Sequence, residues 1–256
     1  MNLADARSLT HRVITVPARV DLKNMISFII PAYNEELLLR QTLEAIHKAA
    51  KEIDVAYELI VVDDDSSDNT DKIANDLGAT VVKVSHRQIS VARNAGVHVA
   101  NGSLLVFIDA DTVISTEILQ ATIGAINSGA IGGSAAFRFD GYIPVYGRVI
   151  QWLLFRIYRL GKVVGGSYLF CTREAFERVG GFDESVYGGE EMILSRTLKK
   201  LGRFILLKQT VLTSGRRLRI YSFWKIMRII ACLGTSGGRI EDRNTGWFWY
   251  DGKREG

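Results

Sequence analysis

The chain has 256 residues and a formal net charge of +4, and 47% of its residues are hydrophobic and 23% charged. This composition is typical of a folded globular protein and excludes a disordered or fibrous chain. No run reaches the roughly 18 apolar residues needed to span a bilayer, and the first residues lack the pattern of a signal peptide. We therefore expect one large α/β domain in the cytoplasm.

The cysteines and histidines show no metal-binding pattern. Cys171 and Cys232 are far apart, and the four histidines have no ligand-like spacing to them. This excludes a zinc site of the common kinds, and cytoplasmic thiols are expected to be reduced.

The charge is unevenly distributed. Residues 196–240 contain eleven Lys or Arg and no Asp or Glu. Such a segment is either a solvated basic face or a surface that meets a phosphate or anionic lipid, and the sequence leaves both open. Nucleic acid is not an expected partner, because no known binding module accompanies these residues.

The first half of the chain contains four short apolar segments bounded by turn residues. They are rich in β-branched and aromatic residues, which predicts strands at 26–30, 58–62, 80–84 and 104–108.

Helical patterns separate these strands. The first follows Asn34, its predicted N-cap, and the second has Ser67 or Asp68 as its cap and Gly78 as its stop. The third ends at Gly102. Alternating strands and helices predict a Rossmann-like, mostly parallel sheet with helices on both faces. Ligands bind such sheets outside the carboxyl ends of the strands, where "PAYNEE", "DDDSSD" and "DAD" occur.

The second half is less regular, with helical patterns at 145–162 and 189–202. We divide the chain into an N-terminal extension, one domain with two halves, and a C-terminal tail. These parts are 1–24, then 25–243 with a nucleotide-binding half at 25–112 and an acceptor half at 113–243, and finally 244–256.

Two carboxylates follow the fourth strand. If the strand geometry persists, Asp109 and Asp111 point the same way. Like charges so placed repel unless a cation lies beside them, and hard oxygen ligands suit Mg²⁺ or Mn²⁺. The alternative is a turn with two solvated acids.

Two further segments are unusual for simple connectors. Asp63, Asp64 and Asp65 exceed what capping of the next helix requires, and a carboxylate can accept an N–H from a nucleobase. Tyr33 offers a flat face on which a base can stack. Taken singly, these segments are also consistent with an acidic turn and a strand-to-helix connector.

Four segments together resemble the family 2 glycosyltransferases, which have a GT-A fold. In chain order they are "FIIPAYNEE", "VVDDDSSDNT", "ARNAGVHVANGSLLVFIDADT" and "VGGFDESVYGGEEMILSRTLKKLG", between about residues 26 and 207. Any one of them is modest evidence, whereas the four in order are specific.

The resemblance implies roles for individual residues. Those expected around the base and ribose of a nucleotide are Pro31, Tyr33, Asn34, Glu35 and Asp64. Arg93 matches an arginine that lies near the nucleotide in this family. Asp109 and Asp111 match the motif that binds Mn²⁺ or Mg²⁺, with Asp111 on the ion and Asp109 towards the ribose.

The acceptor side of the resemblance is less regular. The family's usual Glu-Asp pair is Glu190-Glu191 here, and the second member would deprotonate the acceptor. Since this is a departure, either glutamate remains a candidate for the base. Residues expected near the acceptor or a phosphate are Gly165, Gly166, Arg216 and Arg217.

The resemblance implies a metal-dependent, inverting transfer of one sugar from a nucleotide-sugar donor, expected to be UDP-linked, to a hydroxyl of a glycan or lipid-linked acceptor. The 145–164 segment mixes apolar residues with arginines, which predicts either peripheral contact with the cytoplasmic face of an anionic membrane or a helix packed on the domain. The competing hypothesis is a non-catalytic nucleotide-binding scaffold. A Gly-x-Gly-x-x-Gly turn is absent, which argues against a dinucleotide-dependent dehydrogenase.

Overall fold

A computed structural model describes residues 25–159 and 166–246. The expectations for the extension at 1–24, for Gly165 and for most of the tail lie outside the described residues.

Seventeen elements are described in these ranges. The strands are β1 Ile26–Ala32, β2 Tyr57–Asp64, β3 Thr80–Val84, β4 Leu104–Ile108, β5 Thr112–Val113, β6 Gly132–Phe139, β7 Tyr168–Thr172 and β8 Phe204–Thr213. The helices are α1 Leu39–Glu52, α2 Thr70–Asp76, α3 Ile89–Val99, α4 Thr116–Asn127, α5 Val145–Arg159, α6 Arg173–Val179, α7 Glu190–Leu201, α8 Arg216–Ile220 and α9 Phe223–Thr235.

All the described strands form one sheet in the order β3-β2-β1-β4-β7-β6-β8-β5. The first four of these neighbours pair in parallel, as do β6 and β8, whereas β7 runs antiparallel to both β4 and β6. The prediction of a mostly parallel α/β sheet is confirmed. The carboxyl ends of β1, β2 and β4 consequently lie along one edge, which places the three polar clusters together.

Two hydrophobic clusters cover the two faces of the sheet. Successive residues of one strand alternate between them, so Phe28 and Ile30 belong to one cluster and Ile29 to the other. Helices α1 and α4 pack on the first face, and α3, α6 and α7 on the second. Burial on both sides is the reason these strands are apolar throughout instead of alternating.

The N-cap prediction for the first helix is wrong. Helix α1 begins at Leu39, and Asn34 adopts a left-handed conformation with φ 51° in the preceding loop. A turn in which Leu38 N and Leu39 N donate to Glu35 O separates the two. The second helix begins at Thr70 after Asn69, and its stop at Gly78 has φ 73°.

A third, smaller cluster lies in the second half. Side chains of α5, α8 and α9 pack around Ile143, Leu218, Tyr221 and Ile226. Tyr146 fixes this arrangement, because its hydroxyl donates to the carbonyls of Leu218 and Tyr221 at 2.8 and 3.2 Å. Over residues 25–159 and 166–246, no helix has the length and apolar character needed to cross a bilayer.

The close packing of β6 between its neighbours gives a stability test. A Cβ at Gly133 would collide with the Phe170 ring and with the backbone oxygen of Ile205. We expect Gly133→Ala to destabilise the fold by about 1–3 kcal/mol, as overpacking does. Gly124→Ala is the control, because Gly124 is exposed in α4 with open space around it, and it should stabilise by about 0.5–1 kcal/mol. Urea unfolding of both variants measures the difference, and equal stabilities would contradict the packing described.

Candidate active site

One cavity of about 670 Å³ lies at the carboxyl edge of the sheet. It gathers most of the side chains that the sequence singled out, from elements far apart in the chain. These lining residues are Pro31, Tyr33, Glu35, Asp64, Arg93, Asp109, Asp111, Gly166, Glu190, Glu191, Arg216 and Arg217. Asn34 is not among them, because its side chain lies in the loop and accepts a hydrogen bond from Ser67 N at 2.8 Å.

The two aspartates are placed by a turn and not by a continuing strand. Strand β4 ends at Ile108, and Thr112 N donates to Asp109 O at 3.0 Å. The turn is held from the second half of the chain, because Ser214 N donates to Asp111 O. Asp109 and Asp111 both line the cavity nonetheless, although the strand on which the expectation depended does not continue.

Arg93 is the centre of the first charge cluster. This side chain is only 1% exposed, and it lies on α3 among three carboxylates. Its Nη2 donates to Asp109 at 2.8 Å, and its Nη1 donates to Glu190 at 3.1 Å and to Glu191 at 2.5 Å. Its Nε has no hydrogen-bond partner among the described residues. One buried guanidinium thus joins the aspartate motif to the glutamate pair.

Burial and pairing shift the pKa values in this cluster. Burial by itself lowers the pKa of Arg93, but the three carboxylates outweigh it and raise that pKa above its ordinary value. Burial, and then the charge of Glu191, raises the pKa of Glu190, so Glu190 binds a proton more readily than an exposed glutamate does. Burial also raises the pKa of Asp109, although solvent moderates this effect because 34% of its side chain is exposed.

Arg216 is the centre of a second charge cluster. Its guanidinium, 7% exposed, forms two parallel hydrogen bonds to the carboxylate of Glu35 at 2.7 and 2.6 Å. It also lies 3.1 Å from Asp111 Oδ2. Burial lowers the pKa of Arg216, but the bonds to Glu35 and the charge of Asp111 raise it overall. Arg216, which is 181 residues from Glu35 in the sequence, therefore ties the loop after β1 to the aspartate motif.

The donor set is compatible with a divalent ion. Within the part of the chain that the structure describes, no three His, Cys, Asp or Glu side chains form a group that could hold a metal by themselves. Mg²⁺ is commonly held by one or two carboxylates together with substrate phosphates, so Asp109 and Asp111 are protein ligands of the right type and number. The two clusters contain five carboxylates but only two guanidinium groups. The remaining negative charge can therefore be balanced by a further cation.

Both members of the glutamate pair line the cavity, and Glu191 is the more exposed of the two. Its side chain is 14% exposed, compared with 5% for Glu190. A Cβ at Gly166 would lie 2.9 Å from Glu191 Oε1. Gly166 thus allows close approach of the Glu191 carboxylate.

Asp64 holds a loop. Its carboxylate accepts three backbone N–H bonds, all at 2.8 Å, from His86, Arg87 and Gln88. The loop brings the Arg87 guanidinium over the ring of Tyr33, 3.2 Å from the centroid. The aromatic face expected to stack a base is therefore covered on this side by a cation.

Several residues of the cavity edge were missed by sequence reasoning. Arg87 has φ 53°, a conformation that no local motif indicates. Thr213 Oγ1 donates to Asp111 at 3.2 Å from the end of β8, a strand without a sequence-based expectation. Thr70 Oγ1 accepts from Glu35 N at 2.8 Å and fixes the start of the loop. The capping pattern near "SSDNT" was the available signal for Thr70 alone.

Comparison with known proteins identifies similar sequences. A family model described as "Glycosyl transferase family 2" matches residues 27–176, more than half of the chain. An undecaprenyl-phosphate 4-deoxy-4-formamido-L-arabinose transferase of Proteus mirabilis is 36% identical over 114 residues, which are 41% of this chain and 35% of that protein. A dolichol-phosphate mannosyltransferase of Pyrococcus furiosus is 28% identical over 200 residues, 75% of this chain and 53% of that protein. The chain thus spans about half or less of the length of these curated relatives.

Solved structures show the same fold. The mannosyltransferase PcManGT from Pyrobaculum calidifontis, in complex with GDP-Man and Mn²⁺, superposes with a TM-score of 0.67 at 21% identity. The match covers 89% of this chain and 68% of that one. The predicted GT-A fold is confirmed.

The buried ion pairs around Arg93 give a second stability test. Arg93→Met leaves three carboxylates without their shared cation, and we expect it to cost roughly 3–5 kcal/mol of unfolding free energy. The control is Arg40→Met, which removes an exposed pair with Glu44 and should cost about 0.2–1 kcal/mol. Chemical denaturation measures both, and a loss at Arg93 no larger than at Arg40 would contradict the role of Arg93.

Proposed function

Because the chain belongs to glycosyltransferase family 2, we propose that it transfers one sugar from a nucleotide-sugar donor to an acceptor hydroxyl. The observation that carries this proposal is the single cavity in which Arg93 joins the aspartate motif to the glutamate pair. Donor phosphates and an acceptor base must lie close together for such a transfer, and the presence of the aspartate motif and the glutamate pair in one cavity supports this.

The donor end of the site lies at the carboxyl ends of β1, β2 and β4. Pro31 and Tyr33 supply apolar and aromatic surface for the base. Because the Arg87 guanidinium lies over the Tyr33 ring, it must give way when a base stacks there. It either moves off the ring or stacks on the outer face of the bound base. Asp64 contributes by holding the loop of Arg87 and Gln88 in place.

The phosphate end lies between the two charge clusters, which contribute Asp109 and Asp111 respectively. Asp111 and Asp109 would hold Mn²⁺ or Mg²⁺ there, which when bound offsets the negative charge of the departing nucleoside diphosphate. Arg216 orients Asp111 and Glu35, and Arg217 lines the same part of the cavity. A guanidinium suits phosphate recognition because of its planar, forked donors.

The acceptor end is formed by the start of α7. Glu191 is placed to accept the proton of the attacking hydroxyl, and Arg93 holds its carboxylate in the cavity. Glu190 is a poorer candidate, because its side chain is more deeply buried than that of Glu191. Attack from the side opposite the leaving group inverts the anomeric centre.

The acceptor is proposed to be a glycan or a lipid-linked molecule. The curated relatives named above are an undecaprenyl-phosphate and a dolichol-phosphate transferase. Lys225 and Arg228, which are exposed on α9, support peripheral contact with an anionic membrane.

The metal assignment predicts a loss of Mn²⁺-dependent donor binding in Asp111→Ala. Calorimetric titration of UDP and GDP into the wild type should show binding that Mn²⁺ strengthens by about 10-fold or more, or about 1.4 kcal/mol. In the variant, Mn²⁺ should make little difference. Asp76→Ala, an exposed acid at the end of α2, is the control and should behave as the wild type. An unchanged Mn²⁺ response in Asp111→Ala would remove the metal assignment.

The base assignment predicts a separation of turnover from donor affinity. Glu191→Gln keeps the shape and a hydrogen bond to Arg93 but cannot take a proton, so turnover should fall about 10²–10⁴-fold. Nucleotide affinity should stay within about threefold. The exposed Glu174→Gln serves as a matched control. A fully active Glu191→Gln variant would move the base elsewhere, and a wild type that binds donor without turnover would favour the scaffold hypothesis.

A further inference from the structure

The cavity has a second, apolar half that the transfer of a sugar does not require. Beyond the two charge clusters, its wall passes to the inner faces of α5 and α9. The apolar residues that line this half are Phe137, Ile150, Phe155, Ile226, Ile229 and Leu233. The whole cavity, at about 670 Å³, is in the size range of sites for small amphipathic ligands.

Helix α9 presents a continuous apolar stripe to this half. Ile226, Ile229, Ile230 and Leu233 recur at helical spacing and all line the cavity. Ile226 and Ile229 are each 5% exposed, whereas Ile230 and Leu233 are half-buried. The stripe thus becomes more open towards the end of the helix, away from the small cluster around Ile143. An apolar groove that is open at one end stabilises an apolar occupant by removing it from water.

The outer surface of the same helices is apolar and basic. On α5, Val145, Val149 and Trp152 are 73%, 59% and 62% exposed. Exposed arginines at 148 and 156 flank them. Large exposed apolar side chains next to cations are typical of surfaces that lie in the interface of an anionic bilayer.

Helix α9 continues this surface. Trp224 is 78% exposed, and Lys225 and Arg228 are exposed beside it. Neither α5, α8 nor α9 contains an acidic residue. A basic outer face without acidic residues is complementary to an anionic membrane, which is therefore its expected partner. The apolar half of the cavity lies directly beneath this outer face.

The apolar half is also continuous with the candidate base. Met192 follows Glu191 on α7 and lines the cavity together with Gly238 near the end of α9. A molecule with its chain along α9 therefore reaches Glu191 with its head group.

Resting on the proposed function, we propose that the apolar half is a subsite for the hydrocarbon chain of a lipid-linked acceptor. The chain enters from an anionic bilayer on which the outer faces of α5 and α9 lie. Its head group meets the donor at Glu191. The groove thereby restricts the acceptor class to amphipathic molecules with a hydrocarbon chain.

The subsite is tested by calorimetric titration with hexyl, octyl and decyl phosphate, each below its micelle concentration. Burial of each methylene should strengthen binding to the wild type about two- to fourfold. Leu233→Glu places a carboxylate in the groove and should abolish this dependence on chain length. Ala231→Glu makes the same charge change on the exposed side of α9 and should retain it. Affinity independent of chain length, or equal loss in both variants, would overturn the subsite.

The bilayer is tested by cosedimentation with phosphatidylcholine vesicles that contain or lack phosphatidylglycerol, at low salt. The wild type should sediment with the anionic vesicles only. Val149→Asp should lose this binding, whereas Val99→Asp, on an exposed position of α3, should keep it. No sedimentation, or a concentration-dependent dimer that Val149→Asp abolishes, would overturn the membrane as the source of the chain.

Failure of this inference is distinguishable from failure of the proposed function. Titration of UDP and GDP with Mn²⁺ is run on the same preparations and confirms that Leu233→Glu and Val149→Asp are folded. If the protein binds nucleotide and turns over a soluble sugar acceptor, but its affinity for alkyl phosphates does not depend on chain length, the lipid subsite is removed. The proposal of a transferase then still stands. Absence of nucleotide binding in the wild type would remove the proposed function itself.

Discussion

Two buried guanidinium groups make the carboxyl edge of this sheet possible. The fold brings strand ends together, and with them the carboxylates of Asp109, Asp111 and Glu35, to which α7 adds two glutamates. Carboxylates so close to each other and so little hydrated repel strongly unless cations lie between them. Arg93 and Arg216 supply these cations. The rest of the site is arranged around these two charge clusters.

The two arginines also join parts of the chain that are far apart in the sequence. Arg93 stands on a helix of the first half and contacts α7 of the second, and Arg216 stands after β8 and contacts the loop after β1. A guanidinium suits this position because its forked donors satisfy several carboxylate oxygens at fixed angles, which the point charge of a lysine does not.

The cavity separates its chemistry along its length. At the sheet edge it is lined by charged side chains held by ion pairs, and between α5 and α9 it is lined by isoleucine and phenylalanine. These helices pack through their own small cluster and not through the main core, so their inner faces remain available to the cavity. This arrangement places the two charge clusters next to an apolar surface.

The sequence by itself determined the sheet, the order of the first strands and helices, and the polar clusters at the strand ends. Apolar runs such as 104–108 are local signals, and the parallel topology then forces their carboxyl ends together. The four motifs further indicated the family and most of the charged residues that line the cavity.

Only the tertiary structure decided which charges are paired. Glu35 and Arg216 are 181 residues apart, and no local pattern relates them. Asn34 was predicted as a helix cap because the same residue types are common at helix caps and in loops. Its place in the loop follows only from its contact with Ser67 of the next loop. Long-range ion pairs and loop contacts depend on where the backbone brings side chains in space, which a linear pattern does not encode.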